Sequence, residues 1–420
     1  MTAEIAIANK HAVALAADSK VTIGGATPTK TYDTVNKVFT LSKIHPVGVM
    51  IFGNAEFMEY PWETIIKLFR AEHGLGPRKH VEDWSDDFRK YLEQFGKIED
   101  SHIHSNVAGL VSSWLYDVED EAITQAFAKG VSIPSAAYSD LLVQLLKGAR
   151  VRCTREKTWL PKPEESDLIS KYRSAIREAI KDVFGKPSNE IRAAASALGV
   201  AALAREIESP QSSGYVIAGF GDEDMFPTFI EMATEGYVGP KVKIREVTKT
   251  DIARDDTARI RAFAQTDMVQ GFMNGVDTSL AHAMALMFAD TLIDSCNSVL
   301  DAYGEAVHKN DAIRNKITRA AIRRTTTMMK QFAEETEARF SGPIMAMVDL
   351  LPKDELANLA ESLVSLTSLK RRVSRGAETV GGPIDVALIS KGDGFIWIKR
   401  KHYFSTDLNP QFVRNYMRGI

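Results

Sequence analysis

The chain has 420 residues, of which 45% are hydrophobic and 25% are charged, and its formal net charge is −3. This composition is typical of a soluble globular protein and argues against intrinsic disorder. Because acidic and basic residues are interspersed, the sequence has no basic field that would attract nucleic acid or an anionic membrane, and we expect neither as a partner.

The two cysteines, Cys153 and Cys296, are far apart and form neither a metal-binding spacing nor a disulfide framework. The N-terminal residues lack the basic leader of a signal peptide, and polar residues interrupt them too soon for a membrane span. These features together predict a cytoplasmic protein.

The N-terminal part of the chain has the pattern of a sheet. Short runs rich in Ala, Ile and Val predict four strands before any helix, at residues 2–9, 11–18, 37–42 and 47–52. A tight turn is expected at Asn9 and Lys10, and a loop is expected over residues 22–31, where Gly, Thr and Pro are frequent.

The apolar residues then recur at helical spacing, beginning near Phe57. The segments with this spacing in the first half of the chain are residues 57–69, 81–95, 135–150, 165–185 and 189–206. Because Pro161, Pro163 and Pro210 bound parts of this region, we predict an α-rich insertion over roughly residues 100–211.

Strand patterns return after this insertion, at residues 214–219, 228–232 and 242–247. Helical patterns follow at residues 277–303, 308–340 and 356–366. The last strand pair is predicted at residues 384–390 and 395–399, around a turn in which Asp393 and Gly394 supply the positive φ angle at low cost.

A hydroxyl group is a poor nucleophile at neutral pH and needs a base within hydrogen-bond reach. Thr2 provides both groups if Met1 is removed, because its hydroxyl and a free α-amine then belong to one residue. The unperturbed pKa of an α-amine is about 7.7 to 8, which suits a general base. Thr2 is therefore the candidate nucleophile.

Asp18 and Lys37 are the candidate partners of this amine. A nearby ammonium group would lower the pKa of the amine, and a carboxylate would hold that ammonium group in place. Asp18 ends the second predicted strand and Lys37 begins the third, so adjacent antiparallel strands can bring both side chains beside the start of the first strand.

The opening TAEIAIANKHAVALAADSKVT resembles the start of a catalytic proteasome β subunit, an N-terminal-nucleophile (Ntn) hydrolase. The resemblance implies that Thr2 is the nucleophile, that Asp18 supports the lysine, and that the pair Asn36 and Lys37 supplies that lysine. It also implies an oxyanion hole at the backbone N–H of Gly53. The closing GGPIDVALISKGDGFIWIKRKHYF is similar to the end of the same family.

This resemblance covers residues 2–95, 213–272 and 354–420, and it implies a fold and an activity. The fold is an α+β four-layer αββα sandwich with large helical insertions. The activity is hydrolysis of a peptide bond through an acyl-ester on Thr2, without a metal or an organic cofactor. The implied partners are a peptide or protein substrate, further copies of the chain in a homo-oligomer, and an ATPase or a tagging system.

The resemblance also divides the chain into five segments. Three are parts of the Ntn core, at residues 1–99, 212–275 and 351–420. The other two are the helical insertion at residues 100–211 and a long-helix insertion at residues 276–350.

The sequence departs from the family near the C-terminus. The family's supporting serine falls on Val380 and its supporting aspartate falls near Ala377, so that Glu378 is the closest carboxylate. A second supporting hydroxyl is carried over to Thr266. The residues corresponding to the family's substrate pocket are Val21, Phe39, Ile51 and Ala55, with Thr22 beside them, and they predict an apolar or modest-sized substrate side chain.

Each of these residues also has a structural interpretation. Thr2 can be an ordinary residue of a frayed terminus, Asp18 and Lys37 can form a structural ion pair, and Gly53 can simply be a turn glycine. The strand pattern after Thr2 and the spacing of Asp18 and Lys37 favour the catalytic interpretation.

Three other motifs are not assigned a catalytic or ligand-binding function. His102 and His104 have the spacing of metal ligands on a strand, but a third ligand is not evident, so we interpret them as solvated loop histidines. Gly24 and Gly25 lack the pattern of a phosphate-binding loop. The basic residues at 316–324 are interpreted as a solvated helix face or a subunit contact.

Two alternative functions stay open. The departure at Val380 favours a non-catalytic assembly or scaffold protein. A small-molecule amidohydrolase is the other alternative, because the Ntn sandwich hosts several activities that cleave amides.

Overall fold

The structure, a computed structural model, describes most of the chain. The described residues are 3–23, 30–96, 98–209, 212–254, 256–302, 311–374, 380–402, 404–405 and 407–417. Within these ranges the fold is of the mixed α+β class with antiparallel sheets, which confirms the predicted class. Thr2 and Glu378 lie outside the described residues, as do Gly24 and Gly25.

The strands of the described residues are β1 (Ala3–Asn9), β2 (Ala12–Ala17), β3 (Val21–Ile23), β4 (Lys30–Tyr32), β5 (Val38–Thr40), β6 (Val47–Phe52), β7 (Glu56–Phe57), β8 (Tyr60–Pro61), β9 (Ser213–Gly219), β10 (Thr228–Val238), β11 (Lys241–Asp251), β12 (Ala258–Ala264), β13 (Asp385–Ser390) and β14 (Gly394–Lys399).

The helices of the described residues are α1 (Trp62–His73), α2 (Val81–Glu93), α3 (Asp100–Ala128), α4 (Ala136–Thr154), α5 (Lys162–Lys171), α6 (Arg173–Phe184), α7 (Asn189–Ala204), α8 (Asp267–Asn274), α9 (Thr278–Ala302), α10 (Asp311–Thr336), α11 (Gly342–Leu350), α12 (Lys353–Val373) and α13 (Pro410–Met417), with a π-helical segment at Glu337–Ser341 between α10 and α11.

The chain divides into two compact units. The first unit comprises Met1–Thr34, Ile252–Leu388 and Trp397–Lys401, and the second comprises Val35–Asp251, Ile389–Ile396 and His402–Ile420. Each unit therefore contains residues from distant parts of the sequence. The division into five segments stays a prediction.

The first unit is organised around the sheet with the strand order β12-β1-β2-β13-β14. Every residue of β1 and β2 is buried, as expected for runs of Ala, Ile and Val without exposed alternation. Leu356 and Leu363 of α12 belong to the same apolar core as Ile5 and Ile7 of β1. This core keeps the start of β1 in a defined place.

Asn9 explains how the β1–β2 hairpin closes. Its side chain is fully buried, and its Oδ1 accepts a hydrogen bond from the His11 N–H at 2.9 Å. Its Nδ2 donates to the carbonyl oxygens of Val348 and Leu351, at 3.0 and 2.9 Å. Asn9 is thus the last residue of β1, and the turn lies one residue later than predicted.

The second unit contains the sheet with the order β11-β10-β9-β6-β5 and a larger apolar core. Trp62 of α1, Trp84 and Phe88 of α2 and Tyr215 of β9 are fully buried in that core. Aromatic side chains of this size supply a large share of the apolar area that stabilises a domain.

Three sequence expectations about local structure were wrong. The segment predicted as a loop over residues 22–31 contains the paired strands β3 and β4, although residues 24–29 lie outside the described ranges. His102 and His104 lie on the long helix α3 rather than in a loop. The strand β12, which pairs with β1, was not predicted at all.

One helical stretch bears on the predicted location of the protein. Among the described residues, Thr278–Leu300 is long and apolar enough to cross a membrane by length and composition, with a mean hydropathy of 1.2. A single helix of this kind is weak evidence for a membrane span. The cytoplasmic location stays a prediction.

The start of α2 is expected to contribute stability that depends on pH. A hydrogen bond of 2.6 Å between His80 Nδ1 and Asp224 Oδ1 raises the pKa of His80 above its ordinary value. The contact contributes fully to the free energy of unfolding when the pH is below the unfolded-state pKa of His80, which is about 6.5. This contribution is lost as the pH rises through the raised pKa of His80 in the folded protein. We expect His80→Gln to lower the urea midpoint more at pH 5.5 than at pH 8.5. Equal losses at both pH values would contradict this assignment.

Candidate active site

The Asp18 carboxylate lies at the start of β1. In the antiparallel register of β1 and β2, Glu4 pairs with Ala17, so that Ala3 and Asp18 are opposite each other. The Ala3 N–H donates a hydrogen bond to Asp18 Oδ1 at 3.1 Å, and the Asp18 N–H donates to the Ala3 carbonyl at 3.1 Å. The carboxylate is therefore held beside the residue that directly follows Thr2.

The second oxygen of this carboxylate binds a distant part of the chain. The Gly381 N–H donates to Asp18 Oδ2 at 2.8 Å. The side chain of Asp18 is buried, with 1% of the residue exposed, and both of its oxygens accept hydrogen bonds from backbone N–H groups. The two bonds satisfy both oxygens and orient the carboxylate in a buried place.

Ser19 extends the same connection. Its N–H donates to the Gly381 carbonyl at 3.2 Å, and its hydroxyl donates to the Pro383 carbonyl at 2.5 Å. Asp18 and Ser19 thus bind residues 381–383 through several hydrogen bonds. The two short motifs that carry the family resemblance, one near each end of the chain, meet at this point of the first unit.

Val380 departs from the family pattern in the structure as well as in the sequence. Its side chain is fully buried and belongs to the apolar core around β1 and α12. It offers no hydroxyl group at the position where the family has its supporting serine. Glu378, the carboxylate considered as a replacement, lies outside the described residues.

Three polar residues near Gly381 were missed in the sequence. Lys20 is buried, and its Nζ lies 3.8 Å from Asp33 Oδ1. A Cβ atom placed on Gly381 would lie 3.5 Å from Lys20 Nζ and 3.6 Å from Ser368 Oγ. In the sequence, only the two-residue spacing between Asp18 and Lys20 could have indicated that Lys20 lies near this carboxylate. Ser368 is on α12, far from Asp18 in the sequence, and no motif connects the two residues.

The remaining predicted residues of the first unit lie on β3 and before α8. Val21 and Thr22 belong to β3, where they pair with Tyr32 and Thr31 of β4. Thr266 directly precedes α8. The supporting role of Thr266 stays a prediction.

Lys37 belongs to the second unit and directly precedes β5. It is buried, with 4% of the residue exposed, and its carbonyl accepts a hydrogen bond from the Ile51 N–H at 2.8 Å. A buried lysine requires compensating contacts, because removing an ammonium group from water is costly. Burial of this kind is more typical of a functional or paired lysine than of a solvated one.

Gly53 also belongs to the second unit, directly after β6. Its φ angle is +81°, and a Cβ atom at this position would lie 2.8 Å from the Cα atom of Ser213. Both the left-handed backbone and the close approach of β9 require glycine here. Gly53 therefore has a structural role in this turn. The oxyanion role of its N–H stays a prediction.

The residues of the second unit that the resemblance assigns to a substrate pocket differ in their exposure. Phe39 and Ile51 are buried members of the apolar core of the second unit, whereas Ala55 is half-buried and accepts a hydrogen bond from the Trp62 N–H. A cavity of about 280 Å³ in the second unit is lined in part by Asn54, the residue that follows Gly53 in the sequence. It is lined mainly by polar side chains, among them Asn54, Glu56, Glu59, His102, Asn106 and Ser213.

The histidines considered as metal ligands make other contacts. His102 Nε2 lies 3.4 Å from a carboxylate oxygen of Glu59, and His104 Nε2 lies 3.0 Å from Ser174 Oγ. Over the described part of the chain, no group of three His, Cys, Asp or Glu side chains has the geometry of a metal site. The basic residues at 316–324 lie on α10.

The described residues thus provide a buried carboxylate beside the start of β1, a buried lysine before β5 and a glycine with a positive φ angle after β6. The first of these belongs to one unit and the other two belong to the other unit. No protein-family model matches the sequence, and no curated protein is significantly similar to it.

Proposed function

We propose that this protein is a proteasome-like threonine hydrolase that cleaves peptide bonds through an acyl-ester on Thr2. The observation that carries the proposal is the buried carboxylate of Asp18, bound to the Ala3 N–H at 3.1 Å and to the Gly381 N–H at 2.8 Å. This arrangement supports an anionic group beside Thr2, at the end of a strand in which every residue is buried.

The proposed reaction uses the two functional groups of Thr2. The α-amine accepts the hydroxyl proton while the oxygen attacks the substrate carbonyl carbon, and the resulting ammonium then protonates the departing amine. The C–N bond breaks and an ester remains on Thr2. The same amine then activates a water molecule, which hydrolyses the ester and releases the acid product.

Lys37 and Gly53 complete the proposal. The ammonium group of Lys37 keeps the α-amine unprotonated by lowering its pKa, and Asp18 holds that ammonium group. The backbone N–H of Gly53 stabilises the negative charge that develops on the carbonyl oxygen. Burial of Lys37 and the positive φ angle of Gly53 support these roles.

The finer fold assignment is part of the same proposal. Two five-stranded antiparallel sheets and helices attached to each are the components of an αββα sandwich. We propose this Ntn architecture, with α3–α7 and α9–α11 as the insertions, a homo-oligomeric assembly and a cytoplasmic location. An apolar substrate side chain and an ATPase or tagging partner remain proposals from the family resemblance.

The proposal is tested by intact mass and by labelling with a threonine-reactive peptide electrophile. We expect the mass of the purified protein to lack Met1, because a retained methionine would block the amine. We also expect covalent labelling of Thr2, located by peptide mapping, and no labelling of Thr2→Ala. A retained Met1, or equal labelling of the two proteins, would overturn the proposal.

A non-catalytic scaffold is the second candidate, and a specific observation favours it. Val380 is fully buried in the apolar core at the position of the family's supporting serine. Loss of that hydroxyl group would weaken the proton network of an active enzyme. A protein that lacks Met1 but does not react with peptide electrophiles or hydrolyse small amides would support the scaffold.

A further inference from the structure

Lys20 is a buried lysine of the first unit. It is two residues beyond Asp18 and only 5% exposed. Its Nζ lies 3.8 Å from Asp33 Oδ1, although 52% of the Asp33 side chain is exposed. A buried ammonium group is costly to maintain, so its position is a feature that the fold supports with specific contacts.

The position of Lys20 is defined by Gly381. A Cβ atom on Gly381 would lie 3.5 Å from both Cε and Nζ of Lys20. The lysine side chain therefore packs directly on the residue whose N–H binds Asp18 Oδ2 at 2.8 Å. A Cβ atom at this position would therefore be in van der Waals contact with the Lys20 ammonium group and the Ser368 hydroxyl group.

The ion pair partner of Lys20 contacts the next residue in the same segment. Gly382 has a φ angle of +76°, and a Cβ atom there would lie 2.8 Å from the Cβ atom of Asp33. Asp33 is thus packed against Gly382, and Lys20 is packed against Gly381. The ion pair bridges two consecutive glycines, which would otherwise be the most flexible residues of the segment.

The segment at residues 381–383 is therefore held by two sets of contacts. Asp18 and Ser19 bind its backbone groups by hydrogen bonds, while Lys20 and Asp33 limit the positions of its glycines. If Gly381 moved, its N–H would leave Asp18 Oδ2, and the carboxylate would lose one of the hydrogen bonds that orient it beside Ala3. Displacement of a group that positions a nucleophile lowers the rate of catalysis.

We propose that Lys20 is a positioning residue for the Thr2 site, which acts by holding Gly381 against Asp18. This inference rests on the proposed function. It assigns to Lys20 a task separate from that of Lys37: Lys20 orients the carboxylate, whereas Lys37 acts on the amine.

The test compares Lys20→Met, which keeps the length of the side chain but removes its charge, with Lys20→Arg, which keeps the charge. We expect Lys20→Met to lower the rate of Thr2 labelling and kcat on a peptide amide by about 10- to 100-fold, with KM changed by less than about threefold. Lys20→Arg should recover most of this loss. Lys10→Met is the matched control, because Lys10 is on the same hairpin and forms a long ion pair with Asp349 at 4.0 Å.

Hydrogen exchange provides a readout that does not depend on activity. We expect faster exchange of the Gly381 N–H in Lys20→Met, with unchanged protection of β1 and β2. If Lys20→Met does not fold, Asp33→Asn replaces it as the test of the role of Lys20. We expect Asp33→Asn to lower kcat by at least about threefold.

The outcomes separate the inference from the function on which it rests. Labelled wild-type protein together with unchanged kcat and unchanged Gly381 exchange in Lys20→Met would overturn the role of Lys20 alone. Failure of Lys20→Arg to recover activity would also count against it, since the charge is retained. Wild-type protein that is not labelled at Thr2 would overturn the proposed function, and with it the catalytic consequence of Lys20.

Discussion

Replacing Thr2 by alanine is expected to reduce kcat for hydrolysis of a peptide amide by about 10⁴-fold or more, because the variant has no hydroxyl group to form the acyl-ester. The α-amine is still present in Thr2→Ala, so residual activity would report general-base and binding effects alone. The measurement is the hydrolysis of a set of short fluorogenic peptide amides by protein from which Met1 has been removed.

Thr2→Ser is the matched control for this prediction. It keeps both the hydroxyl group and the amine, so we expect it to retain labelling and a measurable fraction of the wild-type rate. Similar rates for the wild-type protein and Thr2→Ala would show that hydrolysis occurs elsewhere. The thermal midpoints of the wild-type protein, Thr2→Ala and Thr2→Ser are measured alongside the rates, so that a loss of the hydroxyl group is separated from a loss of folding.

Replacing Asp18 is expected to have the second-largest effect, on stability as well as on activity. Asp18→Ala leaves the N–H groups of Ala3 and Gly381 without their acceptor in a buried place. Each unsatisfied group costs about 1 to 3 kcal/mol, so the free energy of unfolding should fall by roughly 2 to 5 kcal/mol. The fall is measured by urea denaturation.

Asp18→Asn distinguishes the charge from the hydrogen bonds. The amide oxygen can still accept from one N–H, but the NH₂ group faces the other donor, so we expect a smaller loss of stability than in Asp18→Ala. We expect the labelling rate of Thr2 to fall by about 100-fold in both variants, because both lose the negative charge. Asp349→Asn is the control, and its effect on stability should be below about 1 kcal/mol. Wild-type labelling in Asp18→Asn would exclude a role for the charge.

Much of the sheet that carries this site is predictable from local patterns. The runs of Ala, Ile and Val in β1 and β2 identify two buried strands, and their connection near Asn9 identifies a hairpin. Placement of Asp18 at the end of β2 follows from the same pattern. These predictions succeed because strand propensity and turn chemistry depend on residues that are close in sequence.

The errors in the predicted secondary structure also have physical causes. Strand β12 has the sequence ARIRAFA, whose alternation of arginine with apolar residues is short, and it pairs with β1 along its whole length. His102 and His104 were interpreted as solvated loop histidines because a third metal ligand was not evident. In the structure they begin a helix whose other face is buried through Ile103 and Val107.

The partners of the candidate carboxylate depend on contacts that no local pattern encodes. Asp18 and Gly381 are 363 residues apart, and the placement of Lys20 and Ser368 beside Gly381 follows only from the packing of the first unit. Short-range rules are therefore enough to identify the hairpin and the carboxylate that binds the Ala3 N–H. The hydrogen bonds that hold this carboxylate arise when the closing segment of the chain packs against the opening hairpin, because hydrogen bonds require distances that only folding can establish.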